Sequence, residues 1–107
     1  MMHAILARRA GGPEVLELGE TARPVPGPGQ LLIRVAAVGV NFIDTYKRSG
    51  VYKVSYPFTP GSEASGTIEE VGEGVTGFTP GDRVATAEGI NCYAGYALID
   101  EDKALPV

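Results

Sequence analysis

A single cysteine, Cys92, and a single histidine, His3, are all that this chain of 107 residues has of the two residue types behind most metal and nucleophile chemistry. One cysteine excludes an intrachain disulfide and a cysteine-rich zinc site. One histidine cannot form a catalytic triad or a metal centre by itself, so His3 reads as a structural or surface residue of a first strand. Cys92 follows Asn91 in a loop, and nothing near it in sequence supplies the basic setting that makes a thiol reactive. No apolar run approaches the roughly 20 residues needed to span a bilayer, so no membrane partner is expected. The opening Met1 to Arg9 stretch is short and carries its charges after the apolar residues, the wrong order for a secretory signal. A cytoplasmic location is therefore expected. There is no Lys/Arg cluster, the net charge is -4 and the pI is near 4.9, a balance that argues against a nucleic-acid partner.

Turn formers, by contrast, are plentiful: 15 glycines and 8 prolines cut the chain into short pieces. The spacing predicts a strand from His3 to Arg8 ended by Gly11-Gly12-Pro13. A second apolar series runs from Val15 through Leu16 and Leu18 to Thr21. Pro24-Val25-Pro26-Gly27-Pro28-Gly29 then forces a stiff turn, because proline fixes φ and removes ladder donors while glycine takes the positive-φ positions. The longest apolar run, Leu31 to Val40, reads as a central strand. Gly66 to Val71 follows after the glycine-rich bend Pro60-Gly61-Ser62-Glu63-Ala64-Ser65, then Arg83-Val84-Ala85, and a last strand from Tyr93 to Ile99. So many short strands with frequent turns predict an all-β fold, a small, partly closed barrel.

Residues 41–48, Asn-Phe-Ile-Asp-Thr-Tyr-Lys-Arg, break this pattern, having neither glycine nor proline. Asn41 fits a helix N-cap with Asp44 near the first-turn amides, and Phe42 and Tyr46, four apart, share a face. Gly50 fits the stop, so a helix of about two turns is expected between strands. The polar and aromatic residues Asn41, Asp44, Tyr46, Arg48 and Tyr52 cluster there and at its exit. Two readings stand side by side for them: cap and packing residues alone, or the wall of a site whose phenols stack on a planar ring and donate to an oxygen. Glu63 is costly to bury unpaired and must reach solvent, backbone donors or a basic group. No phosphate cradle is present: Gly72-Glu73-Gly74 lacks a third glycine before a helix, and Glu70 and Glu73 repel a pyrophosphate.

These motifs in their shared order resemble the zinc-free quinone oxidoreductases of the medium-chain dehydrogenase/reductase superfamily, the group that includes zeta-crystallin. The resemblance rests on Gly11-Gly12-Pro13-Glu14-Val15-Leu16, Gly39-Val40-Asn41-Phe42-Ile43-Asp44-Thr45-Tyr46, Arg48-Ser49-Gly50, Tyr52, Pro60 to Gly66, Val71-Gly72, Gly74-Val75 and Gly81-Asp82-Arg83-Val84. It spans nearly the whole chain. It implies a GroES-like, partly open β-barrel with one or two short helices, residues 1–107 forming the N-terminal part of a catalytic domain. The Rossmann cofactor domain and a C-terminal return segment would then lie outside these residues. In zinc-dependent alcohol dehydrogenases the positions of Asn41 and Ser62 hold a ligating cysteine and histidine, so the resemblance implies a site without metal.

The same resemblance implies a parent enzyme that passes reducing equivalents from NADPH to a quinone. Asn41, Tyr46 and Tyr52 would be catalytic, bordering nicotinamide and quinone. Asn41, Asp44, Arg48 and Glu63 would face the cofactor, with Thr59 and Ser62 as weaker lining candidates. NADPH belongs to the parent, a homodimer; these 107 residues alone are expected to bind none and to be inactive, and an incomplete barrel with an open sheet edge would self-associate. Metal-free relatives also reduce activated alkenes, so an NADPH-dependent enal or enone reductase is the alternative within the superfamily. A co-chaperonin-like interaction module, without enzyme activity, is the alternative outside it.

Overall fold

In the computed structural model, residues 2–39 and 59–107 are described. They form seven strands: β1 (Met2–Ala7), β2 (Leu16–Thr21), β3 (Gln30–Gly39), β4 (Glu63–Val71), β5 (Arg83–Thr86), β6 (Tyr96–Asp100) and β7 (Leu105–Pro106). Two single 3₁₀ turns, Pro13–Val15 and Glu101–Lys103, complete the regular structure. β1 and β2 make a two-stranded antiparallel hairpin, while the other five form an antiparallel sheet in the order β6-β3-β4-β5-β7.

Period-two burial explains the sheet. Along β4, Ala64, Gly66 and Ile68 are buried while Glu63 faces solvent and Ser65 and Thr67 are half-buried, the alternation expected when one face lies on a core. The central strand carries the register across: Leu31 stands between Val71 and Ile99, and Ile33 between Ile68 and Ala97. With Val84 and Cys92 these side chains form one apolar cluster, and Leu31, Ile33, Ile99, Val84 and Cys92 have no exposure at all. Each such aliphatic side chain contributes about 1.5–3 kcal/mol by leaving water.

The first part of β3, Leu31 to Ile33, is apolar on both faces because both are covered there. Leu32 points away from that cluster and is still fully buried, as are Ala4, Leu6 and Ala7 of the hairpin. The hairpin is tied to the sheet through residues 93–95: Ile5 donates to the Tyr93 carbonyl (2.8 Å), Gly95 donates to that of His3 (3.0 Å), and Ala4 bridges Ala94. At the far edge the buried Thr86 hydroxyl donates to the Lys103 carbonyl (2.9 Å) and accepts from the Glu88 amide (3.0 Å), anchoring the turn before β7.

The all-β expectation and the order of strands agree with this architecture, with three differences of extent. β4 begins at Glu63, three residues before Gly66, because Glu63, Ala64 and Ser65 pair with Val38 and its neighbours on β3 and do not extend the bend. The last long strand begins at Tyr96; residues 93–95 are instead committed to the hairpin and to the Pro60 bend. A further short strand, β7, follows it, pairing with β5 through Leu105 and Pro106. The expected helix over residues 41–48 and Tyr52 beyond it lie outside the described residues.

Candidate functional site

The bend Pro60-Gly61-Ser62 is held by backbone. Its three carbonyls accept from Tyr93 (2.9 Å), Cys92 (3.0 Å) and Gly89 (2.8 Å) in turn, so the bend is zipped to the 89–93 segment. Gly61 sits at φ +112, where a side chain is strained, and a Cβ there would stand 2.5 Å from Tyr93 Cδ1 and 2.9 Å from the Tyr93 nitrogen. The tyrosine ring thus lies directly on the glycine. Its hydroxyl reaches the carbonyl of Gly39, the last described residue of β3, over a long 3.4 Å hydrogen bond. One half-buried side chain therefore touches both β3 and the bend before β4.

Glu63 follows at the start of β4. Its carboxylate packs over Gly39, so closely that a Cβ on Gly39 would overlap Oε1. The side chain reaches solvent, one of the outcomes its charge requires. It borders an open, shallow trough of about 340 Å³ whose other walls include Ala37, Ser65, Thr86 and Leu105. Small side chains across three strands leave this floor flat, a shape that admits a planar ring with a carboxylate acceptor at one edge. Ser62, half-buried, contributes its carbonyl to the bend.

The other sequence candidates fall differently. Thr59, 9% exposed, lines a second cavity beside Leu6, Asn91 and Tyr96 and is not among the residues bordering the Glu63 trough. Asn41, Asp44, Tyr46, Arg48 and Tyr52 lie outside the described residues. Tyr93, which the sequence marks only as the start of a strand, bears on the site as well. Its signal is a pairing of positions far apart in sequence: an aromatic at 93 and a glycine at 61 that leaves room for it. His3 is exposed on β1 and Cys92 is fully buried. Among the described residues no three His, Cys, Asp or Glu side chains converge as a metal site.

With this geometry in view, comparison with known proteins is informative. The alcohol dehydrogenase GroES-like domain model matches residues 27–106. Quinone oxidoreductase from Lama guanicoe is 50% identical over 102 residues, 92% of this chain and 31% of the relative. The structure of Escherichia coli quinone oxidoreductase complexed with NADPH superposes with a TM-score of 0.93 at 38% identity, covering 98% of this chain and 33% of that one. A 2-haloacrylate reductase from Burkholderia is 38% identical over 112 residues, covering 100% of this chain and 34% of the relative. The chain thus spans about a third of the length of the relatives it matches.

Proposed function

Because the chain belongs to the alcohol dehydrogenase GroES-like domain family, we propose that it is the substrate-side part of an NADPH-dependent quinone oxidoreductase. What carries this reading is the extent of the likeness to proteins of that name, 50% identity across 92% of the chain. The described residues fit one end of the cofactor. Glu63 offers an exposed carboxylate acceptor above a flat trough, suited to the amide donors and planar ring of a nicotinamide. Among the described residues no lysine or arginine borders that trough, and the phosphates are assigned to another part of the parent.

NADPH, when bound, supplies the reducing equivalents. The chain's own work is positional. Glu63 orients an amide edge, and the Tyr93–Gly61 contact holds Ser62 and Glu63 at a fixed spacing from β3. Small residues on the trough floor let two flat rings approach without a side chain between them. Asn41, Tyr46 and Tyr52 complete the proposal as groups bordering the acceptor, where phenol and amide donors stabilise charge developing on a quinone oxygen. Asp44 and Arg48 face the cofactor from the same segment. The site works without metal: serine and asparagine stand where zinc-dependent relatives place histidine and cysteine, and neither is a good zinc ligand.

A second reading, an activated-alkene reductase, is favoured by the likeness to the haloacrylate reductase. Both readings are tested by joining this chain to the two thirds of the E. coli protein that the match does not reach. NADPH oxidation by the purified hybrid is then measured with 1,4-naphthoquinone and with 2-chloroacrylate. Turnover of the quinone at least tenfold above the acrylate is expected. The reverse preference selects the alkene reductase, and a folded, NADPH-binding hybrid inert toward both acceptors overturns the proposal.

A further inference from the structure

Between the hairpin and β6 lies a cavity of about 180 Å³, separate from the Glu63 trough and not used by the proposed reaction. Leu6, Ile90 and Leu98 supply apolar wall; Thr21, Thr59, Asn91 and Tyr96 supply polar groups. Among the described residues no charged side chain lines it. Arg23 rests 4.1 Å above the Tyr96 ring centroid and also reaches Glu69 and Glu70, each at 3.8 Å, so the ring that walls the cavity is held from outside.

Two observations mark this space as more than a packing defect. Thr59 is nine-tenths buried, yet its hydroxyl makes no hydrogen bond to another of the described residues. Among the described residues no side-chain polar atom is sealed from open space without a partner, so this hydroxyl keeps its access, and the cavity is the space it lines. Asn91, at the rim, holds φ +54, the left-handed region that few side chains other than asparagine adopt readily. A hydroxyl that opens onto such a space is met there by water or by a ligand.

Size and lining together define the ligand. A protein cavity of about 150 Å³ with apolar walls accepts benzene. A space of about 180 Å³ therefore holds a six-membered ring and one or two further atoms. The absence of charge on the walls selects a neutral molecule. A threonine hydroxyl both donates and accepts, which matches a hydroxyl on the ring. We propose that this cavity binds a small neutral phenol, its hydroxyl hydrogen-bonded to Thr59 and its ring against Leu6 and Leu98. The proposal is independent of the quinone reductase reading.

Titration of the 107-residue chain with phenol, followed by two-dimensional amide NMR, tests it. Saturable shifts are expected at Thr21, Thr59, Asn91, Tyr96 and Leu98, with a Kd of about 1 mM for so small a ligand. Thr59→Val keeps the shape and removes the hydroxyl. It is expected to weaken phenol at least fivefold and to leave benzene affinity unchanged. The proposal is overturned if wild-type shifts do not saturate about twentyfold above the expected Kd, or if they map to Ser65 and Thr86. Equal weakening of phenol and benzene by Thr59→Val, or of neither, overturns the hydrogen-bonded pose. The wild-type map decides the location even if the variant fails to fold.

Discussion

The core beneath β3 and the bend at residues 60–62 are held by opposite means. In the core, Leu31, Ile33, Ile68, Val84 and Ile99 contribute through side-chain volume, and no single atom is decisive. At the bend, three carbonyl hydrogen bonds to residues 89–93 do the holding, and the decisive feature is a side chain that is missing at Gly61. One region tolerates graded change; the other tolerates little, because a Cβ is either present or not. The bend also adjoins the proposed site, so a backbone tied by three hydrogen bonds lies where geometry matters most.

The largest stability effect is expected in the core. Ile68→Ala should cost about 2–5 kcal/mol and Ile68→Val about 0.5–1.5 kcal/mol, measured by urea unfolding. That gradation is the signature of volume loss. If both variants cost the same, Ile68 is not packed as its 2% exposure implies.

Gly61→Ala comes next, and it breaks the comparison from the other side. One methyl group at φ +112, facing the Tyr93 ring and nitrogen, is expected to cost at least about 2 kcal/mol. Thermal unfolding would show a fall in Tm of about 8 °C or more for a domain of this size. A neutral result would mean that the bend relaxes freely and does not fix Ser62 and Glu63.

These two regions also differ in how far sequence alone reveals them. Glycines and prolines at short intervals, with apolar runs between them, mark the strands containing Ile33, Ile68, Val84 and Ile99, because turn formers punctuate a sheet where its strands end. The extra length of β4 escaped, since Glu63-Ala64-Ser65 has no strong strand preference and pairs only because β3 extends beside it. Tyr93 escaped for a stronger reason: its partners Gly39 and Gly61 are 54 and 32 residues away in sequence, and no local pattern announces a ring over a distant glycine. The proposed site residues 41–52 were named through family resemblance, with helix capping an equally good account of Asn41. None of those lies among the described residues; Glu63, named through the same resemblance, does, and it stands at a trough edge as a solvated carboxylate.

A smaller effect sharpens the role of Tyr93. Tyr93→Phe removes the 3.4 Å hydrogen bond to Gly39 and keeps the ring over Gly61. A bond this long is expected to contribute under about 1 kcal/mol, so urea unfolding should barely separate the variant from wild type. A loss matching that of Gly61→Ala would show that the hydroxyl, and not the ring, holds the two elements together.

The smallest stability effect is expected at the residue proposed to matter for cofactor binding. Glu63→Gln keeps size and acceptor oxygen but removes charge, and an exposed substitution of this kind should shift stability by no more than about 0.5 kcal/mol. In the hybrid with the E. coli protein, the proposed contact to an amide edge loses its charge assistance. The KM for NADPH is expected to rise about fivefold, since charge-assisted hydrogen bonds are roughly twice as strong as neutral ones. The quinone KM should stay unchanged, because Glu63 is assigned to the cofactor side. An unchanged NADPH KM with a raised quinone KM would move Glu63 to the acceptor's side of the trough. No change in either would leave it a solvated strand end, and the flat floor of Ala37, Ser65 and Ala85 would then act by shape alone.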